Sequence, residues 1–242
     1  MHPDCHSCCY LCRMKTFAEK AIGFHRSLRL NIPDSEVQVM NPFRDKYVMG
    51  LVEQFYKKFF NDNQKRSFIL GINPGRFGAG ITGISFTDPV NLHEACGIQN
   101  HFDQKHELSS VFIYDVIDAF GGVKRFYQKF FVTAVSPLGF VKDGKNINYY
   151  DEKELQNQVT PFIRKTLKKQ VEMGARQKCA VCVGGGKNFK YLHDLNKSMN
   201  LFEKIIPVDH PRFVMQYRRK SKDQYVKKYL DALNLCELLN NP

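Results

Sequence analysis

Ser67-Phe68-Ile69-Leu70-Gly71-Ile72-Asn73-Pro74-Gly75-Arg76-Phe77-Gly78-Ala79-Gly80 runs a short apolar stretch straight into a glycine-rich turn. A run of that length, bounded by turn residues, reads as a strand buried on both faces. Three further runs share the pattern: Phe131-Val132-Thr133-Ala134-Val135, Ala180-Val181-Cys182-Val183 and Ile205-Ile206-Pro207-Val208. Pro207 has no N–H to give a ladder, so the last run belongs at a sheet edge or a strand end. Helical spacing lies between them. Val48, Leu51, Val52, Phe55 and Phe59 form one stripe, and Leu155, Val159, Phe162, Ile163 and Leu167 another. Leu108 to Phe120 is apolar on most sides, Lys187 to Asn200 follows a triple glycine, and Val226, Tyr229, Leu230 and Leu233 mark a last amphipathic helix. Strands alternating with helices predict an α/β fold with a parallel sheet covered on both faces. In such folds ligands bind beyond the carboxyl ends of the strands. Three turns fall there, GINPGRFG, SPLGF and DHPRF, and the pattern gathers them around one crevice.

Composition narrows the classes. The 242 residues suit one domain with at most a small appendage, and 20 Phe and 11 Tyr supply a sizeable core. No apolar run approaches the roughly 20 residues of a membrane span, and no cleavable signal is visible, so the expected setting is cytoplasmic, nucleoid-associated if bacterial. Lys and Arg number 36 against 24 Asp and Glu, a net charge of +12. Such a surplus favours a polyanion partner, because neutralised phosphates release counterions. Cys5, Cys8, Cys9 and Cys12 crowd one compact run without the second ligand pair that a zinc site needs, so no metal is expected. Cys179 and Cys182 have CxxC spacing but lie in a strand-like run, where residues three apart point to opposite faces. They read as buried small hydrophobes.

The glycine-rich turn lacks the Gly-Lys-Ser/Thr of a phosphate loop and is not a GxGxxG. Taken alone it is a turn common to many α/β proteins. The longer string is specific. Gly71-Ile72-Asn73-Pro74-Gly75, Phe77-Gly78 and Thr82-Gly83-Ile84-Ser85-Phe86 resemble, at matching spacing, the first motif of the single-strand-selective monofunctional uracil-DNA glycosylases. His210-Pro211-Arg212 is similar to that family's second signature, Asn41-Pro42 echoes an Asn-Pro ahead of its first helix, and Val181 to Lys187 is similar to its VGVGR turn. The match spans most of residues 24–238 and is nearest to the divergent bacterial second subfamily. It implies a three-layer αβα sandwich around a four-stranded parallel sheet, and base hydrolysis without metal or cofactor. On this reading residues 1–16 are a Cys-rich tail and 17–242 a single glycosylase-like domain, acting on DNA as a monomer.

The resemblance assigns catalysis to Asn73, which orients a water, and His210, which donates to the departing base. Phe86 matches the aromatic under the flipped base, with Ile72 and Gly75 beside it. The pattern departs at Ala134, where the family carries an Asn that reads uracil. Alanine offers no hydrogen bond, which opens the site to xanthine, hypoxanthine or oxidised pyrimidines, and Thr133 and Ser136 are the nearby hydroxyls that could substitute. For DNA contact the candidates are Arg76, Gly186 and Lys187 at the helix-opening triple glycine, the run Arg212, Phe213, Val214 and Met215, read as a basic and apolar wedge, and Arg218 and Arg219 in the basic patch after it, read as phosphate contacts. Two other classes remain: a non-catalytic nucleic-acid-binding relative, and a small-nucleotide hydrolase. The first must explain why Asn73 and His210 are both present. The second lacks a carboxylate cluster at motif spacing, since Asp115 and Asp118 sit at helical spacing as solvated or capping groups.

Overall fold

The computed structural model describes residues 14–33 and 35–241. Cys5, Cys8, Cys9 and Cys12, and with them most of the expected tail, lie outside the described residues. The elements in chain order are α1 (Phe17–Ser27), β1 (Gln38–Met40), α2 (Lys46–Phe59), β2 (Arg66–Gly71), α3 (Ala79–Thr82), α4 (Pro89–Glu94), α5 (Leu108–Phe120) and α6 (Gly122–Lys129). They continue with β3 (Phe130–Ala134), β4 (Gly139–Lys142), β5 (Lys145–Ile147), α7 (Lys153–Glu172), β6 (Ala175–Val183), α8 (Lys187–Met199), β7 (Lys204–Val208), α9 (Pro211–Tyr217) and α10 (Lys222–Asn240).

The central sheet has four parallel strands in the order β3-β2-β6-β7. β2 and β3 are buried along their whole length, which is why they read as unbroken apolar runs. β7 is the edge strand, and that position accommodates Pro207. Helices cover both faces. Cys179 on β6 faces Cys236 of α10, whereas Cys182, three residues on, meets Asn188 of α8 at 3.3 Å. The two cysteines therefore serve opposite layers, as their spacing predicts, and both are buried. The fold is the three-layer α/β sandwich with a four-stranded parallel sheet.

Local chemistry sets the helix ends. Thr16 and Glu19 form a reciprocal capping box that starts α1, and Asp45 accepts from Tyr47 and Val48 N–H to start α2. Glu107 caps α5 at the N-terminus, and left-handed Gly121 ends it after Phe120.

A second, three-stranded antiparallel sheet, β1-β4-β5, does not follow from the apolar pattern. Its hairpin, residues 139–147, is rich in Lys, Asn and Gly and only half-buried, so it carries no strand signature. This small sheet stands over the carboxyl end of β2 and matters more to the site than its size suggests. Among the described residues no helix is long and apolar enough to cross a membrane.

Candidate active site

A cavity of about 360 Å³ opens where β2 and β3 end. Its size falls in the class of small-ligand sites. Gly71, Ile72, Asn73 and Gly75 from the β2 turn, Phe86, Thr133 and Ala134 line it together with His210, Arg212 and Phe213. Residues separated by more than a hundred positions in the chain thus meet in one place.

Phe86 lies beneath this space in a left-handed conformation, with φ of 52°. For a bulky residue that conformation costs on the order of 1–3 kcal/mol and persists only when its surroundings over-determine it. They do. Thr82 Oγ1 donates to the Thr87 carbonyl at 2.6 Å, the Thr87 hydroxyl meets the buried Tyr114 hydroxyl at 3.0 Å, and Asp88 N–H donates to Ser110 Oγ at 3.0 Å. The ring then lies so near the end of β2 that a β-carbon at position 71 would come within 2.9 Å of it. Gly71 is required by that approach.

Asn73 is held by the second sheet. Its Nδ2 donates to the carbonyls of Ile147 and Pro74, each at 3.3 Å, and its Oδ1 accepts from Tyr149 N–H at 3.2 Å. Both donors are used, and one lone pair of Oδ1 is left over. Tyr149 is held in turn: its hydroxyl donates to Asn188 Oδ1 at 2.6 Å, and Asn188 Nδ2 donates to the Val183 carbonyl at 2.9 Å. A chain of hydrogen bonds therefore runs from the ends of the central strands to the Asn73 amide.

His210 is the N-cap of α9, and its Nδ1 accepts from Arg212 N–H at 3.2 Å. In the neutral ring the proton therefore sits on Nε2. Burial, helped by the Arg212 charge, pushes the imidazole pKa down to about 4. The group is a neutral donor at physiological pH. Its ring centroid lies 6.0 Å from that of Phe86.

The remaining candidates separate clearly. Thr133 lines the cavity, but its hydroxyl donates to Gln170 Oε1, and Gln170 Nε2 reaches the Ala134 carbonyl at 3.3 Å. Ser136 is fully buried, donates to the Leu138 carbonyl at 2.8 Å and is not part of the wall. Ser136 therefore does not reach the base, which corrects its expected part in base reading, while Thr133 stays on the wall with its proton given to Gln170. Val214 and Met215 also need correction: both are buried on the inward side of α9. Phe213 and Tyr217, exposed at the mouth, occupy the outward side. Arg76 donates to the Gly144 carbonyl and stacks on Phe77, with 4.6 Å between guanidinium carbon and ring centroid. Gly186 and Lys187 line a neighbouring cleft that shares Ile72, Tyr150, His210 and Phe213 with the main cavity. Arg218 stacks on Phe213 at 5.5 Å, and Arg219 is exposed just beyond.

The sequence reading missed Asn146, Asn148, Tyr150, Glu107 and Gln216, all of which line the cavity. Glu107 has both oxygens engaged, by Ser109 Oγ and Ser110 N–H, and lies 4.0 Å from Arg212 Nη2. Among the described residues no cluster of three or more His, Cys, Asp or Glu could hold a metal ion.

Residues 57–234 match the model of the uracil DNA glycosylase superfamily. The chain belongs to that superfamily. Its structure is similar to the crystal structure of wild-type Pedobacter heparinus SMUG2, with a TM-score of 0.88 and 43% identity over 95% of this chain and 100% of that one. The likeness supports placement in the second subfamily, as the motifs imply. No curated protein matches the chain. In a uracil DNA glycosylase scaffold the cavity at the ends of β2 and β3, with Asn73 and His210 on its walls, is the candidate active site.

Proposed function

We propose that the protein is a monofunctional DNA glycosylase that hydrolyses the N-glycosidic bond of uracil, and of other deaminated or oxidised bases, leaving an abasic site. The observation that carries this reading is the meeting, in one cavity, of a locked amide and a neutral imidazole donor above an aromatic floor. Breaking the bond builds positive charge on the sugar and negative charge on the base. A water held by Asn73 Oδ1 attacks the sugar, and His210 Nε2–H meets the oxygen where the base becomes anionic. A preorganised donor of this kind contributes about 3–4 kcal/mol. Stacking on Phe86 adds roughly 1–3 kcal/mol and tolerates different bases. No lysine lines the cavity among the described residues, which favours water over an amine as nucleophile and so base release without strand cleavage.

The breadth of substrate follows from Ala134. It lines the cavity without a polar side chain, and the Thr133 and Ser136 hydroxyls have already given their protons to Gln170 and the Leu138 carbonyl. A pocket without a bidentate amide discriminates less among bases. For DNA, the exposed Arg212, Arg218, Arg219 and Lys187, with the backbone at Gly186 opening α8, offer phosphate contacts around the mouth. Phe213 is the exposed aromatic placed to fill the gap left by an extruded base.

The test is a panel of labelled oligonucleotides carrying uracil, xanthine, hypoxanthine or an oxidised pyrimidine, single- and double-stranded, treated with alkali after incubation. Alkali-dependent nicks at more than one damaged base are expected. A protein that binds these strands and produces no abasic site would be the non-catalytic relative instead.

A further inference from the structure

We propose that Asn148 is a second catalytic residue, the acceptor that with Asn73 fixes the attacking water. The inference rests on the reading of Asn73 as the group that holds that water. A water that attacks a sugar carbon must aim a lone pair at it, so both of its hydrogens need acceptors. Asn73 supplies one. Its two N–H bonds are spent on Ile147 and Pro74, and Tyr149 N–H takes one lone pair of Oδ1, leaving a single site. A neutral amide oxygen is a weak base, so one such contact leaves the water free to swing.

The backbone places the second acceptor. The two groups beyond the β2 turn that grip Asn73 are the Ile147 carbonyl and the Tyr149 N–H, and the residue between them is Asn148. Its own position is fixed by a tight turn, since Asn148 N–H donates to Asp151 Oδ2 at 2.7 Å and its carbonyl accepts from Asp151 N–H at 3.0 Å. Its side chain lines the same cavity as Asn73 and has no protein hydrogen-bond partner among the described residues. Two neighbouring polar groups of the wall already have partners. Asn146 Oδ1 accepts from Arg76 N–H at 3.2 Å, and Glu107 is held by Ser109, Ser110 and Arg212.

In the step itself the water oxygen bonds to C1′ while the C1′–N bond breaks. The electron pair leaves with the base, where His210 Nε2–H meets it, and the proton shed by the water passes to solvent. Asn148 Oδ1 accepts one water hydrogen and Asn73 Oδ1 the other, so the water is oriented without being deprotonated beforehand.

The experiment measures single-turnover excision of uracil from a single-stranded oligonucleotide by wild type, Asn148→Ala, Asn148→Asp and Asn73→Ala. It also measures affinity for the same strand carrying a hydrolysis-resistant 2′-fluorinated deoxyuridine, and thermal melting. Asn148→Ala is expected to lower the rate on the order of 10²-fold, with affinity and melting unchanged. Asn148→Asp, which restores an acceptor of the same shape, should recover part of that loss, more so as pH rises and the carboxylate ionises. An Asn148→Ala rate near that of wild type would overturn the proposal. So would a loss confined to affinity, which makes Asn148 a DNA contact. An Asn73→Ala variant of undiminished rate would sink the water reading itself. A crippled Asn73→Ala beside an intact Asn148→Ala would sink this inference alone.

Discussion

At the scale of single residues the site depends on hydrogen bonds that leave one functional atom over. His210 spends Nδ1 on the first turn of α9 and keeps Nε2–H. Because burial and Arg212 hold its pKa near 4, the ring is neutral across the working range. Excision under single-turnover conditions should therefore show no inflection between pH 6 and 8. A charged histidine would instead give a rate that falls as pH rises through the ordinary histidine range near 6.5. Ala134 supports a second expectation. It lines the cavity on the strand next to the one that leads into the Asn73 turn, in register with Gly71. Ala134→Asn should raise the preference for uracil over purine-derived bases by about tenfold or more, because a site that hydrogen-bonds its substrate rejects analogues most strongly. Comparing excision rates across a base panel reads this directly, and an unchanged ratio would mean that the side chain at 134 does not meet the base edge.

At the scale of elements, what positions the chemistry is the hairpin β4–β5 and the segment after it. Tyr149 is fully buried and ties that segment to Asn188 of α8. Tyr149→Phe leaves Asn188 Oδ1 buried without that donor, a loss of about 1–3 kcal/mol in stability. Thermal melting should show the loss, and excision should drop with little change in DNA affinity, since Tyr149 N–H holds Asn73. Unaltered melting and activity together would remove the tether from the account.

Elements also show where the sequence was readable. β2 and β3 were legible because strands buried on both faces must be largely apolar, β6 only over residues 180–183 because Arg176, Gln177 and Lys178 in its first half are not buried, and α5 matched its expected span, residues 108–120, because Glu107 and Gly121 punctuate it. The hairpin was not legible, because half-exposed Lys, Asn and Gly residues show neither period. Gln170 and Asn188 did leave a signal: each falls on the apolar stripe of its helix, with Ile163 and Leu167 in one case and Leu192 and Leu195 in the other. A polar residue on such a stripe must find a buried partner, and both did, at the site. Val214 misled for the opposite reason. Read as a string, Arg212 to Met215 is a wedge, but helical winding turns Val214 inward and leaves Phe213 out.

At the scale of the whole molecule, stability and charge set the working conditions. His25 is buried among Phe24, Phe43 and Tyr56, and its Nδ1–H donates to the Ala21 carbonyl at 2.7 Å. Burial pushes its pKa from 6.5 down to about 4. The unfolded chain therefore takes up a proton first as pH falls. The stability held by the neutral ring is complete above pH 6.5 and is lost progressively toward pH 4, amounting to about 3 kcal/mol. His210 adds a change of the same sign. Denaturant melts from pH 7 to pH 4 should show this decline, and His25→Phe should flatten it. An equally steep decline in the variant would place the acid sensitivity elsewhere.

The same frame brings Asn73, from the end of β2, and His210, from beyond β7, to one cavity. The most direct measurement of the central claim is the single-turnover rate of uracil excision by Asn73→Ala and by His210→Ala, with DNA affinity measured alongside. Each variant is expected to lose on the order of 10²–10³-fold in rate while binding DNA as tightly as wild type. Undiminished excision by both variants would contradict it.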